Sequence, residues 1–342
     1  MQNVQVIIIN NCFYKNKICG INLCDWLKNN IQQNCLILNS IDEIKGVTLK
    51  KDYALVLFSS YPLIKESDLK MLAELTQTKQ LSFCEFNGGY FIKSQLINQK
   101  INNFTSNSYN FDYNLEINDN LSLHKVKREI QKIIIENHIN NGVIFENENN
   151  VIIDATVKIS NNVFIGNNCE LYGDTIIGQN GQVLSNSTLI NVKAQANVKI
   201  ISSHLEECFV CEAATVGPFA RIRKGVEVGK NCKIGNFVEL KQAKIAKNTK
   251  ISHLTYVGDA QVGENCNLGC GVVFCNYDGK SKHKTVIGDN CFIGSNVNLV
   301  APIEIGDNCF IACGSTITKN LKKNLFAIER SEQIIKNNKF KK

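Results

Sequence analysis

Branched aliphatic residues recur every six positions through the second half of the chain, and this spacing dominates its hydrophobic pattern. The position after each of them is usually glycine or another small residue. Neither the helical period of about 3.6 residues nor the alternation of a strand produces such spacing. With two single-residue skips and one interrupting loop, the aliphatic positions are Val216, Ile222, Val228, Ile234, Leu240, Ile245, Ile251, Val257, Val262, Leu268, Ile287, Ile293, Leu299, Ile305, Ile311 and Ile317.

This hexapeptide repeat predicts a mainly β protein that contains a parallel β-helix. Each unit is expected to form one short strand and a turn, with the aliphatic side chain inward. The small residue after it would let the chain bend at a corner without a Cβ clash. Three units would form a triangular coil of about eighteen residues. The pattern is detectable from about Ile159 and predicts roughly eight or nine coils, which stabilise one another by stacking.

Residues 1–120 follow a different pattern, which predicts a small α/β domain. Apolar segments at 4–10, 35–38 and 53–60 are typical of parallel strands, and helical patterns lie at 22–31 and 66–76. Within 121–145, apolar residues on one face predict a helix that links this domain to a β-helix of residues 146–330. Residues 331–342 form a basic tail.

Composition excludes several classes of protein. The chain has 342 residues, of which 44% are hydrophobic and 20% charged, as expected for a globular protein of two domains. No apolar run reaches membrane-spanning length and no signal peptide is evident, so we expect a cytoplasmic protein with no membrane partner. The net charge of +7 is not accompanied by interleaved aromatic and basic residues, so we expect no nucleic-acid partner.

Fifteen cysteines invite a disulfide or metal interpretation. Only Cys208 and Cys211 have the C-x-x-C spacing, and no second pair or histidine cluster accompanies them, so we predict no metal site. Within the repeat, five cysteines follow a corner residue by three positions. This is expected to be an inward slot where a thiol acts as a small hydrophobe. The five are Cys169, Cys232, Cys266, Cys291 and Cys309.

The segments that interrupt or decorate the repeat carry a family resemblance. GPFARIR, GNFVELK, HLTYVGDA, NYDGKSKHKT and VAP together resemble the acetyltransferase half of the bifunctional N-acetylglucosamine-1-phosphate uridylyltransferase/glucosamine-1-phosphate acetyltransferases. The resemblance implies that the β-helix is left-handed and that acetyl-coenzyme A is the co-substrate, with no metal needed. It also implies glucosamine 1-phosphate as acceptor, a role in UDP-N-acetylglucosamine and cell-wall precursor synthesis, and a homotrimer.

The same resemblance implies roles for individual residues on the sugar side. His253 would be the catalytic base, because amide formation requires removal of a proton from the sugar amine and an imidazole suits that transfer at neutral pH. Cationic side chains would bind the sugar phosphate. The remaining sugar-side positions include Glu239, which would orient either the amine or His253. The implied substrate residues are Arg223, Lys241, Tyr256, Asn267, Lys282 and Glu239.

Further positions match coenzyme contacts of the family. The backbone N–H of Cys270 would face the acetyl carbonyl, where a donor stabilises the developing oxyanion, and Arg330 would meet a coenzyme phosphate. The family often has alanine at positions 270 and 313. The implied coenzyme-binding residues are Cys270, Asn276, Tyr277, Ser295, Cys313 and Arg330.

The front of the chain departs from the family pattern. Its start lacks the glycine-rich nucleotide loop, and Ser60 stands where a magnesium-binding aspartate belongs. Asn87 and Asn118 look like remnants of sugar and metal contacts. We therefore expect a shrunken nucleotidyltransferase domain that has lost uridylyl transfer. Two alternatives stay open, namely acyl transfer to another amino or nucleotide sugar, and a non-catalytic β-prism scaffold.

Overall fold

The computed structural model describes residues 3–12, 14–31, 33–99 and 107–337. The chain divides into two compact units, Met1–Ile134 and Ile135–Lys342. Across this described part of the chain, every helix is too short or too polar to cross a membrane.

The first unit is built on a mixed β-sheet. Its strands are β1 Val4–Ile9, β2 Cys35–Leu38, β3 Tyr53–Phe58, β4 Phe83–Phe86, β5 Gly89–Lys93 and β6 Asn107–Tyr109, and its helices are α1 Leu23–Ile31, α2 Glu66–Thr78 and the 3₁₀ turns Ile41–Gly46 and Ser94–Leu96. Over the described residues the strand order is β2-β1-β3-β5-β4-β6. The predicted parallel strands β1, β2 and β3 are confirmed. The antiparallel hairpin of β4 and β5, in which β5 also pairs antiparallel with β3, was not predicted.

Both sides of this sheet are covered, which explains the unbroken apolar run of β1. Val6 and Ile8 point into one core with Leu27 of α1 and Leu69 of α2. The alternate residues of β1 point into a second core that includes Ile44 and Tyr90. A strand buried on both faces shows continuous hydrophobicity instead of alternation.

The predicted linking helix is α3, Asn120–Asn140. Asp119 caps its first turn, since the Asp119 carboxylate accepts a hydrogen bond of 2.7 Å from the Ser122 backbone N–H. Leu123, Val126 and Ile130 of the predicted apolar face are buried.

The second unit is a parallel β-helix with three faces. Strands of face 1 are Ile144–Phe145, Phe164–Ile165, Gln182–Val183, Lys199–Ile200, Thr215–Val216, Lys233–Asn236, Lys250–His253, Asn267–Leu268, Phe292–Ile293, Phe310–Ile311 and Phe326–Ala327. Strands of face 2 are Val151–Ile153, Cys169–Tyr172, Thr188–Ile190, His204–Glu206, Arg221–Ile222, Glu239–Ile245, Tyr256–Val262, Val273–Cys275, Asn298–Val300 and Thr316–Ile317. Face 3 contains the second halves of Glu239–Ile245 and Tyr256–Val262 together with Lys158–Ile159, Ile176–Ile177, Lys193–Ala194, Phe209–Val210, Glu227–Val228, Thr285–Ile287 and Ile303–Ile305. A 3₁₀ turn, Glu148–Asn150, lies in the first coil.

The β-helix is longer than the sequence pattern predicted. Over the described residues face 1 contains eleven strands and begins at Ile144, so about ten coils form instead of eight or nine. No glycine occurs between Gly142 and Gly166, so the first coil lacks the residue that most often marks the repeat. The predicted inward positions themselves are confirmed, with Val216, Ile234 and Leu240 fully buried.

The repeat glycines act differently from the prediction. Gly229 and Gly269 have ordinary backbone angles, but a Cβ on either would lie 2.6 Å from a backbone atom of the next coil. Glycine therefore permits the close approach of coils. The bend itself falls on asparagines two residues later, such as Asn231 with φ 58°, because asparagine tolerates the left-handed region. Their amides form a ladder, with 3.2 Å from Asn231 Nδ2 to Asn248 Oδ1 and 3.0 Å from Asn248 Nδ2 to Asn265 Oδ1.

The five inward cysteines are confirmed as buried wall residues, each exposed by 2% or less. Their thiols reach main-chain carbonyls of the next coil, as Cys232 Sγ does with Ala246 O at 2.9 Å. Burial raises the pKa of Cys232 to about 11. Cys208 and Cys211 are likewise free thiols.

Candidate functional site

His253 ends a face 1 strand at the corner that leads to face 2, where its side chain is exposed. Its Nδ1 atom lies 2.6 Å from Oδ1 of Asn236, which ends the neighbouring face 1 strand. The two residues are register partners in the parallel ladder. Asn236 was missed by the sequence analysis, although it lies within the GNFVELK segment, because an asparagine near a corner of this repeat usually signals only a turn.

Three predicted coenzyme residues continue the column that begins at His253. Each follows the inward residue of a paired face 1 strand by two positions, as His253 follows Ile251. Strand pairing aligns Ile251 with Leu268, Leu268 with Ile293, and Ile293 with Ile311. Because neighbouring strands lie about 4.8 Å apart, the column rises by one such step per coil. In order from His253, its members are Cys270, Ser295 and Cys313.

Free hydrogen-bond donors line this column. The backbone N–H groups of Cys270, Ser295 and Cys313 have no acceptor among the residues that the structure describes. The N–H groups one position later are all used, since they donate to the coil below at 2.8–3.1 Å. A row of free N–H groups at a partly exposed corner is suited to bind the carbonyl oxygens of an extended ligand.

The corner between face 1 and face 2 has different kinds of residues before and after His253. On one side Phe219, Phe237 and Leu254 have φ angles of 57°, 56° and 47°, and each is exposed by more than half. We call these three residues the apolar ridge. On the other side the equivalent positions are small or turn-forming, namely Gly271, Asn296 and Gly314. Bulky residues rarely adopt positive φ, so the ridge is strained backbone beside the candidate base.

Cationic side chains cluster on face 2. Arg223 and Lys241 occupy equivalent positions in adjacent coils, because Ile222 pairs with Leu240. Arg223 forms an ion pair of 3.0 Å with Glu239, and Lys241 lies 3.4 Å from Asp259. Within the described residues of one chain, Glu239 contacts Arg223 and forms no hydrogen bond with His253, so its role in orienting the amine or His253 stays a prediction.

Lys282 joins this cluster from the loop between two strands, Val273–Cys275 and Thr285–Ile287. Its ammonium lies beside that of Lys241, and this neighbour is the main reason why the pKa of Lys282 is lowered, with a smaller contribution from Arg223. An ammonium at Lys241 can donate a hydrogen bond to Lys282 only when Lys282 is a neutral amine, and this interaction, followed by the Asp259 carboxylate, raises the pKa of Lys241. Three cationic side chains thus face a common region that suits a phosphate dianion.

Tyr256 and Asn276 meet over Gly258. Asn276 is 7% exposed, and its Nδ2 donates to Tyr256 Oη at 3.3 Å and to Asp259 Oδ2 at 2.5 Å. A Cβ on Gly258 would lie 2.6 Å from Asn276 Nδ2 and even closer to the tyrosine hydroxyl. The absence of a side chain at Gly258 therefore creates the space that these two polar groups share.

The loop that carries Lys282 is organised by Asp278. Its carboxylate accepts hydrogen bonds from the backbone N–H groups of Ser281 and Lys280 at 2.7 and 2.8 Å, and lies 2.7 Å from His283 Nε2. These interactions lower the pKa of Asp278. Tyr277, which pairs with Lys282 across the loop, is 60% exposed.

The structure separates some of the predicted site residues. Asn267 lies on face 1, between Lys250 and Phe292 in the strand ladder, whereas Arg223 and Lys241 lie on face 2. Arg330 is exposed and follows the face 1 strand Phe326–Ala327 by three residues. One chain therefore divides the predicted sugar contacts between two different faces.

The first unit holds the proposed remnants of a nucleotide site in structural roles. The Asn87 amide bonds to the backbone of Phe111 and Asn114 at 2.9–3.0 Å. Ser60 is buried, and its hydroxyl accepts a hydrogen bond of 3.2 Å from Asn11 Nδ2. Asn118 bonds to Ser122 at the start of α3. Among the described residues, no group of three His, Cys, Asp or Glu side chains is placed to hold a metal ion.

Comparison with known proteins supports the predicted resemblance. Residues 284–319 match the bacterial transferase hexapeptide family (six repeats), and residues 204–277 match the GMPPB C-terminal domain. The bifunctional protein GlmU of Clostridium tetani is 45% identical over 233 residues, which cover 68% of this chain and 51% of that protein. GlmU of Clostridium acetobutylicum is 43% identical over 226 residues, with coverages of 66% and 50%.

The chain thus spans about half the length of the curated relatives that it matches. Among solved structures, the UDP-N-acetylglucosamine acyltransferase of Francisella novicida is similar with a TM-score of 0.37 and 20% identity, over 52% of this chain and 64% of that one. The resemblance to bifunctional uridylyltransferase/acetyltransferases, predicted from the motifs, is confirmed over about two thirds of the chain.

Proposed function

We propose that this chain, a homologue of bifunctional GlmU proteins over two thirds of its length, transfers an acetyl group from acetyl-coenzyme A to the amine of glucosamine 1-phosphate. The product would be N-acetylglucosamine 1-phosphate, the precursor of UDP-N-acetylglucosamine. The proposal rests mainly on one observation. His253 stands at the foot of a column of free backbone N–H groups, at Cys270, Ser295 and Cys313, beside small corner residues.

Each part of the proposed site matches a requirement of the reaction. The amine nitrogen attacks the thioester carbonyl, a C–N bond forms, and the C–S bond breaks to release coenzyme A. His253 Nε2 accepts the amine proton and returns it to the leaving thiolate. The Cys270 N–H would donate to the oxyanion, a contribution worth about 10²–10³-fold in rate. Arg223, Lys241 and Lys282 would hold the sugar phosphate.

The divided placement of sugar contacts supports a site built from more than one chain. Asn267 lies on face 1 and Lys241 on face 2, so one chain presents these two predicted sugar contacts on different faces. Placing face 1 of one subunit against face 2 of another would unite them. Closed cyclic symmetry would repeat that arrangement around a ring. We therefore propose a homotrimer with active sites between subunits.

The decisive experiment measures thiol release from acetyl-coenzyme A with glucosamine 1-phosphate as acceptor and no added metal. We expect turnover that falls at least about 10²-fold in His253→Ala, while acetyl-coenzyme A still binds by calorimetry. UDP-glucosamine and glucosamine 6-phosphate serve as competing acceptors. A preference for either of them would favour a different sugar acyltransferase, and no turnover with any acceptor would favour a non-catalytic scaffold.

A further inference from the structure

We infer that Asn236 is a positioning residue that fixes the tautomer and orientation of His253. The inference deepens the proposed function, because it concerns the same site and names what prepares its base. The observation behind it is the 2.6 Å separation of His253 Nδ1 from Asn236 Oδ1. An amide oxygen can only accept a hydrogen bond, so Nδ1 must carry the proton.

The tautomer determines which nitrogen is available for chemistry. With the proton on Nδ1, the lone pair of a neutral imidazole lies on Nε2. His253 Nε2 has no hydrogen-bond partner among the described residues, and the side chain is exposed. The Asn236 oxygen therefore directs the basic nitrogen away from the protein wall, towards the region where an acceptor amine would bind.

The backbone holds the two side chains in this relation. The strands that end at Asn236 and His253 each have four residues, whereas the face 1 strands on either side, Thr215–Val216 and Asn267–Leu268, have two. The pairing of Asn236 with His253 extends the ladder to the corner. Neighbouring parallel strands bring equivalent side chains to about 4.8 Å, which leaves the amide and the imidazole within hydrogen-bond reach.

Asn236 is also a poor candidate for the ordinary turn role of asparagine in this repeat. The turn asparagines have positive φ, and Asn236 does not. The matching asparagine of an earlier coil is Asn167, which follows Ile165 by two positions as Asn236 follows Ile234. Asn167 has no histidine above it in the column. It therefore provides a matched control for any substitution at position 236.

The first test measures the ring nitrogen shifts of His253 by ¹⁵N NMR in the full chain labelled on histidine, with the His253→Gln spectrum used for assignment. At a pH where the ring is neutral, we expect a protonated Nδ1 and an unprotonated Nε2. In Asn236→Leu the two shifts should move towards each other, as the tautomers mix. Asn167→Leu should leave them unchanged. A protonated Nε2 in the unsubstituted chain would overturn the inference.

The second test is kinetic and distinguishes positioning from a structural role. Asn236→Leu should lower kcat about tenfold with little change in either KM. Asn236→Asp places a carboxylate on Nδ1, stabilises the imidazolium and should shift the acidic limb of the pH–rate profile upward by about 1 pH unit. Asn167→Asp should not move this limb. An unmoved limb in Asn236→Asp would contradict the inference.

The two tests separate failure of this inference from failure of the proposed function. The NMR measurement needs no substrate, so it reports on Asn236 even if no acetyl transfer is found. If the unsubstituted chain is active and both Asn236 variants match it in kcat and pH profile, the proposed function stands and the positioning role fails. Thermal unfolding of the variants at position 236 and 167 checks that all four are folded.

Discussion

The ammonium groups of Lys241 and Lys282 lie beside each other, and the pKa of Lys282 is lowered chiefly by this neighbour. With Lys241 protonated, a second cation at Lys282 is disfavoured. A bound phosphate dianion would favour the charged form of both side chains, because the anion compensates both charges. The Asp259 carboxylate, 3.4 Å from Lys241, offsets part of the repulsion in the absence of substrate.

A pH dependence of substrate binding follows from this arrangement. Lys282 is cationic below its lowered pKa and becomes neutral as pH rises through it. The KM for glucosamine 1-phosphate should therefore rise on the alkaline side before an ordinary lysine would titrate. Lys282→Arg should delay this rise, because guanidinium keeps its charge. Lys282→Met should raise KM about tenfold at neutral pH. An identical alkaline profile in Lys282→Arg would contradict the assignment.

Gly258→Ala should damage both subsites of the proposed site. The added methyl would meet the hydroxyl of Tyr256, a predicted sugar contact, and the amide of Asn276, a predicted coenzyme contact, so both groups must move. We expect the KM values for glucosamine 1-phosphate and for acetyl-coenzyme A each to rise about tenfold or more. Gly46→Ala is a suitable control, since nothing lies within 4 Å of its added Cβ. Unchanged KM values for both substrates in Gly258→Ala would contradict the placement of Tyr256 and Asn276 in the site.

The strain of the apolar ridge should be measurable. Leu254 has φ 47° and is 57% exposed, so its side chain gains little from burial. Leu254→Asn should raise the free energy of unfolding by about 1 kcal/mol, because asparagine adopts this conformation at lower cost. Asn296→Leu, at the equivalent position of the same corner, should lower it by a similar amount. Denaturant titration measures the free energy of unfolding of both variants. The prediction requires an increase in Leu254→Asn and a decrease in Asn296→Leu.

Subunit mixing tests the proposed trimer. Asn267→Ala and Lys241→Ala chains, each nearly inactive, should regain activity when refolded together, since one kind of mixed site receives an intact face 1 and an intact face 2. Mixing Arg223→Ala with Lys241→Ala should restore nothing, because both changes fall on face 2. Recovery of activity in the mixture of Arg223→Ala with Lys241→Ala would contradict a site built from face 1 of one subunit and face 2 of another. So would a chain that is fully active at a concentration where light scattering shows a monomer.

Uridylyl transfer should be absent. Ser60, at the position of the expected magnesium ligand, has a neutral hydroxyl that already accepts from Asn11, and a hydroxyl is a weak ligand for Mg²⁺. With UTP, N-acetylglucosamine 1-phosphate and Mg²⁺, we expect no pyrophosphate release. The bifunctional relative from Clostridium tetani serves as the positive control. Formation of UDP-N-acetylglucosamine by this chain would restore a two-activity interpretation.

The sequence alone determined the β-helix because the repeat is local. Each six-residue unit contains its own inward aliphatic residue and its own small residue, so the pattern is visible without knowing which coils touch. His253, Arg223 and Lys241 could also be predicted as candidate site residues from the sequence, because they lie in segments that interrupt or decorate the repeat. The number of coils was predicted too low because the repeat has no glycine between Gly142 and Gly166, which left its pattern undetected before Ile159.

Only the tertiary structure decided which of these residues meet. Asn236 and His253 are seventeen positions apart, and so are Asp259 and Asn276. A regular coil of three six-residue units would bring residues eighteen positions apart together, and single-residue skips and loops change that separation locally. The role of the repeat glycines also differs from the prediction. Instead of bending the chain, they leave room for the backbone of the next coil. Contacts between coils depend on register, and register emerges only when the whole stack packs together.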